Sequence, residues 1–223
     1  MPVQIDQIIR SKRKTVAIVV RPDASVIVRA PLRATRASIL EFVEKNTAWI
    51  EKKQAQARET ALPAPREYVA GVRFEYLGNE YLLEIVQGQK KSLLMEDGKF
   101  KLAMSARQAA RLAFERWYRE QARKIISERV DYYVQLHGFQ YSRLGITSAR
   151  TRWGSCSASG ALNFSWRLIQ APIEVVDYVV VHELVHTVIH NHSGRFWKRV
   201  EQTMPDYRER RTWLRKNGLR LLL

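Results

Sequence analysis

Cysteine is almost missing from this chain. Cys156 is the only one in 223 residues, so no internal disulfide can form, and a reducing, cytoplasmic setting is expected. Long apolar runs are missing too. The longest, such as residues 16–20 and 178–181, fall far short of the ~20 residues a membrane-spanning helix needs, so no membrane partner is expected. The opening stretch, MPVQIDQIIRSKRK, lacks the apolar core of a secretory leader and does not read as one. Acidic residues are scarce, 22 against 38 basic, for a net charge of +16. Residues 132–173 contain no Asp or Glu, yet hold Arg143, Arg150, Arg152 and Arg167. What the chain does have, 46% apolar and 27% charged residues, is globular composition and excludes a wholly disordered chain.

The basic excess favours anionic partners, with nucleic acid or a nucleotide among them. A device for solubility is the plainer alternative. The excess is concentrated. Residues 195–220 carry nine basic and three acidic residues. Together with the acid-free stretch they bracket a cluster of histidines.

Periodicity points to an α+β fold in two regions. Residues 1–104 read as a β-hairpin-rich half around one helix at about 36–59. TVAIVV and SVIVRA are strand-like runs joined at Arg21-Pro22-Asp23-Ala24. In the helix, Ile39, Phe42, Val43, Asn46, Trp49 and Ile50 recur at helical spacing behind a Thr35 cap. TALPAP then breaks the pattern as a linker. Two more hairpins turn at Gly78-Asn79 and at Asp97-Gly98. Residues 105–223 open with a long helix. Ser105 and Gln108 form a capping box, and Gly138 is its stop. Its expected buried stripe is Leu112, Ala113, Trp117, Ala122, Ile125, Ile126, Val130 and Tyr133. LGITSART and ALNFSWRLI read as strands. In the second, Asn163, Ser165 and Arg167 form the polar face. Helices follow from Pro172, around 194–203 and around 206–217.

Four of the five histidines fall within HELVHTVIHNH, residues 182–192. On a helix, His182 and His186 lie on one face about 6 Å apart along the axis, and can converge on one ion. Glu183 sits beside them, placed to act on water without being a ligand. That is the H-E-x-x-H arrangement of a zinc hydrolase, with the glutamate as general base. His190 would stand about 12 Å up a straight helix from His182, too far for one ion. A turn at Asn191 would instead bring His192 back as third ligand, with one position open for catalysis. The expected cofactor is one Zn²⁺ per chain, and the same donors suit another divalent cation. Arg152, Asn191 and Tyr207 are the candidates to stabilise a developing oxyanion. Cys156, His137 and His190 are expected to be packing or surface residues.

HELVHTVIHNHSGRFW, preceded by TRWGSCSASGALNFSWRLIQAP, resembles the YgjP-like metal-dependent hydrolases. That family is grouped with small zincin-type metallopeptidases and is distantly similar to SprT-like proteases. The resemblance implies a zincin-like second half, with the HExxH helix packed on a small antiparallel sheet. It implies His182, His186 and His192 as metal ligands and Glu183 as catalytic base. It also places Arg152, Trp153, Gly154, Ser155, Cys156 and Asn163 beside the cleft. Two enzymatic activities are then expected to compete, peptide hydrolysis and nucleotide phosphoanhydride hydrolysis. A nucleic-acid-associated protein with structural zinc is the third expectation.

Overall fold

The computed structural model describes residues 3–21, 23–59 and 67–221. The chain divides into two compact units, Met1–Ala64 and Pro65–Leu223. The architecture is α+β, with six α-helices and three small sheets among the described residues.

In the first unit, β1 (Gln7–Ser11), β2 (Ala17–Val20) and β3 (Val26–Pro31) form a sheet of order β1-β3-β2. The β2–β3 pair is the expected hairpin, while β1 joins the other edge of β3 in parallel. Of the turn expected at Arg21-Pro22-Asp23-Ala24, Pro22 lies outside the described residues, as does the TALPAP linker. The single helix expected at 36–59 is two: α1 (Arg36–Lys45) and α2 (Thr47–Glu59). The break is at Asn46, whose side-chain amide donates to the Phe42 carbonyl at 2.7 Å and leaves its backbone non-helical. The break shifts the phase of the apolar face. Ile39, Val43 and Ile50 pack on Val26, Val28 and Ala30 as expected, but Phe42 and Trp49 are left exposed.

The second unit is built around α3 (Ala110–His137). The hairpins β4 (Arg73–Tyr76)–β5 (Asn79–Val86) and β6 (Leu93–Glu96)–β7 (Lys99–Ala103) join through a parallel β5–β7 pair. The first turn lies one residue earlier than expected, at Leu77-Gly78, both with positive φ, while Asp97-Gly98 turns as expected. These strands bury Phe74 and Phe100 against Phe114 of α3, with Phe74 and Phe114 stacked at 4.1 Å. The expected division after residue 104 therefore differs from the observed one. The second pair of hairpins shares its aromatic core with α3.

Other expectations need correction here. The capping box at Ser105 does not form, because residues 104–109 wind as a 3₁₀ segment whose N-cap makes no side-chain hydrogen bond. Leu112 is exposed, and Phe114 and Tyr118 take the buried face instead. The sheet behind the histidines, β8 (Arg143–Thr147), β9 (Gly154–Cys156) and β10 (Ala161–Ser165), is mixed rather than antiparallel, since β8 runs parallel to β10. The chain has to cross back between them through residues 148–160. Strand β10 stops at Ser165, and residues 166–170 form a 3₁₀ segment that buries Arg167. The remaining helices are α4 (Ile173–His186), α5 (Gly194–Thr203) and α6 (Tyr207–Asn217).

Candidate metal centre

Helix α4 is apolar around most of its circumference, from Val175 to Val185, as a helix embedded in a core must be. Its last turn carries His182, Glu183 and His186. The helix ends there, earlier than the sequence suggested. The amide and hydroxyl of Thr187 both donate to the Leu184 carbonyl, at 3.0 and 2.8 Å, and close the last turn. His190 is therefore off the helix, and the reversal is made over residues 187–192 rather than at Asn191 alone. Asn191 contributes its side-chain oxygen, which accepts from the Ser193 amide at 3.2 Å.

This reversal brings His192 back over the helix. The Nε2 atom of His192 lies 3.1 Å from Nε2 of His186 and 3.1 Å from Nε2 of His182. The three ring nitrogens all lie within 4.8 Å of one another, a donor set that could hold one metal ion. Tetrahedral ligands at ~2.0–2.1 Å from zinc stand about 3.3 Å apart, so the donor set fits one such ion. On His186 the tautomer is fixed as well. Its Nδ1 lies 3.0 Å from the Ile189 carbonyl, which can only accept, so Nδ1 carries the proton and Nε2 the lone pair. Phe196, fully buried on α5, packs against all three rings at 4.4–4.9 Å. Trp197 stacks on His192 at 5.8 Å, and Tyr207 stacks on Trp197 at 5.6 Å.

Burial sets the charges. The His182 imidazole is pushed down to about 3 by burial first, then by His186, His192 and Arg211. Burial also lowers His186, against the raising effect of the Ile189 carbonyl. Both directions favour neutral imidazoles, the form that binds metal. The Glu183 carboxyl is pushed up to about 7 by burial, with the nearby Arg152 guanidinium opposing. Gly154 of β9 makes room for it. A Cβ at that position would stand 2.5 Å from Glu183 Cγ and Oε1.

The histidines and Glu183 line a cleft of about 410 Å³, with Gly154, Ser155, Cys156 and His190 on its walls. Arg152 and Asn163 line an adjoining cavity of about 490 Å³, which shares Gly154 and Ser155 with the cleft. Asn191 and Tyr207 are not among the cleft-lining residues, and Tyr207 is buried behind Trp197. Cys156 reaches the cleft wall but stands outside the group of converging donors. Sequence reasoning missed Phe196 as the floor of the site and gave Gly154 no reason. Both are brought there by tertiary contacts that no local pattern records.

No curated protein and no solved structure matches the chain. The model of one family, described as YgjP-like, metallopeptidase domain, matches residues 14–217. That span takes in both units and every residue of the site, and the chain belongs to the YgjP-like metallopeptidase-domain family.

Proposed function

We propose that the chain is a zinc-dependent, peptidase-type hydrolase in which His182, His186 and His192 hold the metal and Glu183 is the general base. The observation that carries this reading is the convergence of three imidazoles, with His192 Nε2 3.1 Å from both His182 Nε2 and His186 Nε2, in the cleft that also holds the Glu183 carboxyl. Zinc, when bound, supplies Lewis-acid polarisation of a carbonyl oxygen and of water. Glu183 takes a proton from the attacking water and returns it to the leaving nitrogen. A carboxyl raised to about 7 suits both steps, being a stronger base than an ordinary carboxylate and still a usable acid. The Ile189 carbonyl holds the His186 ring in its ligating tautomer. Phe196 and Trp197 fix the rings from below and from the side.

A peptide substrate is favoured by β9. This strand is at the edge of its sheet and lines the cleft, so an extended peptide backbone can pair along it while its carbonyl meets the metal site. Arg152 and Asn163, beside Ser155 in the adjoining cavity, are proposed to hold the substrate next to the cut. A second reading, hydrolysis of a nucleotide phosphoanhydride, draws on Arg152, the one cation acting on Glu183.

The test is Glu183→Gln, assayed on a peptide library and, in parallel, on a nucleoside triphosphate panel. The variant is expected to keep its metal while peptide turnover falls by about 10²–10⁴. Full activity in the variant contradicts the role of Glu183. Turnover of nucleotides alone replaces the peptidase reading by the second one.

A further inference from the structure

Strand β9 has two faces, and the histidine cleft takes up one of them. A Cβ on Gly154 would point at the Glu183 carboxyl. The next residue, Ser155, therefore faces the other way. On that side Ser155 pairs with Asn163, and Asn163 pairs with Gly145. Thr147 and Ser165 form the next pair of the same row. This face is polar, whereas Leu162 and Phe164 of β10 turn to the opposite face and are fully buried. The polar row walls the cavity of about 490 Å³ that also holds Arg152.

The polar groups of this cavity are unevenly used. The Thr147 hydroxyl donates to the Phe164 carbonyl at 3.3 Å, and the Ser165 hydroxyl donates to the Ala149 carbonyl at 2.8 Å. The Ser165 amide donates to the Trp153 carbonyl at 2.8 Å, which fixes the chain next to Arg152. By contrast, the Arg152 guanidinium, the Ser155 hydroxyl and the Asn163 side-chain amide have no hydrogen-bond or ion-pair partner among the described residues. Gly145 leaves room for the Asn163 amide, since a Cβ there would stand 2.6 Å from Asn163 Oδ1. Among the described residues no Asp or Glu lines the cavity. Three unused donor groups, one of them charged, thus share a space without an anion of its own. A carboxylate suits such a set, because it accepts paired bonds from a guanidinium and single bonds from a hydroxyl and an amide.

We propose that this cavity is a specificity pocket for a carboxylate of the peptide substrate, carried on an Asp or Glu side chain next to the scissile bond, with Arg152 as the residue that selects it. The strand geometry favours a side chain over a chain end. An extended peptide paired along the free edge of β9 sends successive side chains to opposite faces. One lies on the Glu183 face, and its neighbour enters the cavity beside Ser155. This assignment rests on the peptidase reading above, so binding and turnover are measured separately.

The experiment uses the purified full chain and labelled peptides, acetylated and amidated, that differ only in carrying Glu, Gln or Lys at one position, scanned along the peptide. Binding is measured on Glu183→Gln, and kcat/KM on the wild type. At one position Glu is expected to bind at least about tenfold more tightly than Gln, the scale of a charge-assisted hydrogen bond. Arg152→Met is expected to erase that difference. Arg152→Glu is expected to reverse it in favour of Lys, which a merely structural role would not do. A preference in binding with no turnover of any peptide would support the pocket and contradict the peptidase reading. Three results would overturn the pocket: no position at which Glu and Gln differ, a Glu preference that survives in Arg152→Met, or a preference that appears only when the peptide C-terminus is left as a free carboxylate. A nucleoside triphosphate that binds more tightly than the Glu peptide, and loses that advantage in Arg152→Met, would also overturn it and give Arg152 to the second reading.

Discussion

Glu183 owes its place to a missing side chain. Gly154 lets the carboxyl approach the β9 backbone more closely than any Cβ would allow. Gly154→Ala is therefore expected to push the carboxyl off its position, lowering turnover by about 10²-fold, within the range of a displaced general base, while metal content stays unchanged. Wild-type turnover in that variant would show that Glu183 does not need the contact. The burial that raises the Glu183 carboxyl also has a cost in the metal-free protein. Its carboxyl sits at about 7 when folded against an ordinary value of 4.5. A group raised in this way favours folding below pH 4.5 and loses that contribution as pH rises through 7. Glu183→Gln is thus expected to stabilise the metal-free protein at pH 8, by up to about 3 kcal/mol, and to change little at pH 4. The check is urea unfolding with chelator at both pH values. Equal effects at the two pH values would contradict the burial of the charge.

At the scale of elements, the helix that carries His182, Glu183 and His186 is fixed from several sides. Arg129 of α3 grips Asp177 of α4 through two bonds, Nε to Oδ1 at 2.6 Å and NH2 to Oδ2 at 2.7 Å. The β4–β5 turn docks at its start, where a Cβ on Gly78 would meet Pro172 at 2.9–3.1 Å. Removing Arg129 leaves the nearly buried Asp177 carboxylate alone. Arg129→Met is expected to destabilise the protein by about 2–4 kcal/mol, with part of the loss recovered by adding Asp177→Asn. Urea unfolding of the single and double variants measures this, and a neutral single variant would contradict it. The elements were legible in the sequence where local signals decide. The Asp97-Gly98 turn, the Gly138 helix stop and the last two helices all sit where the pattern puts them. They were illegible where a side chain competes with the backbone or where packing wins. Asn46 splits a helix by bonding to the Phe42 carbonyl. Arg167 reads as the polar face of a strand but is buried in a 3₁₀ turn over Trp166.

At the scale of the whole molecule, the site is compact in sequence, and that is why much of it could be read. His182, Glu183 and His186 occupy one helical turn, and His192 is only six residues further on. The walls come from afar: Gly154 from an edge strand and Phe196 from the next helix, neither marked by any periodicity. The net charge of +16 was legible as a number but not as a place. Only the fold brings Arg119 of α3 and Arg167 of the acid-free stretch to the same residue, Ser148. The central claim is that His182, His186 and His192, not His190, hold one metal ion. Zinc content per chain, measured on the purified wild type, His192→Ala and His190→Ala, tests it most directly. The expected result is about one zinc in the wild type and in His190→Ala, with most of it lost in His192→Ala. Retention of zinc in His192→Ala, or its loss in His190→Ala, would contradict the account.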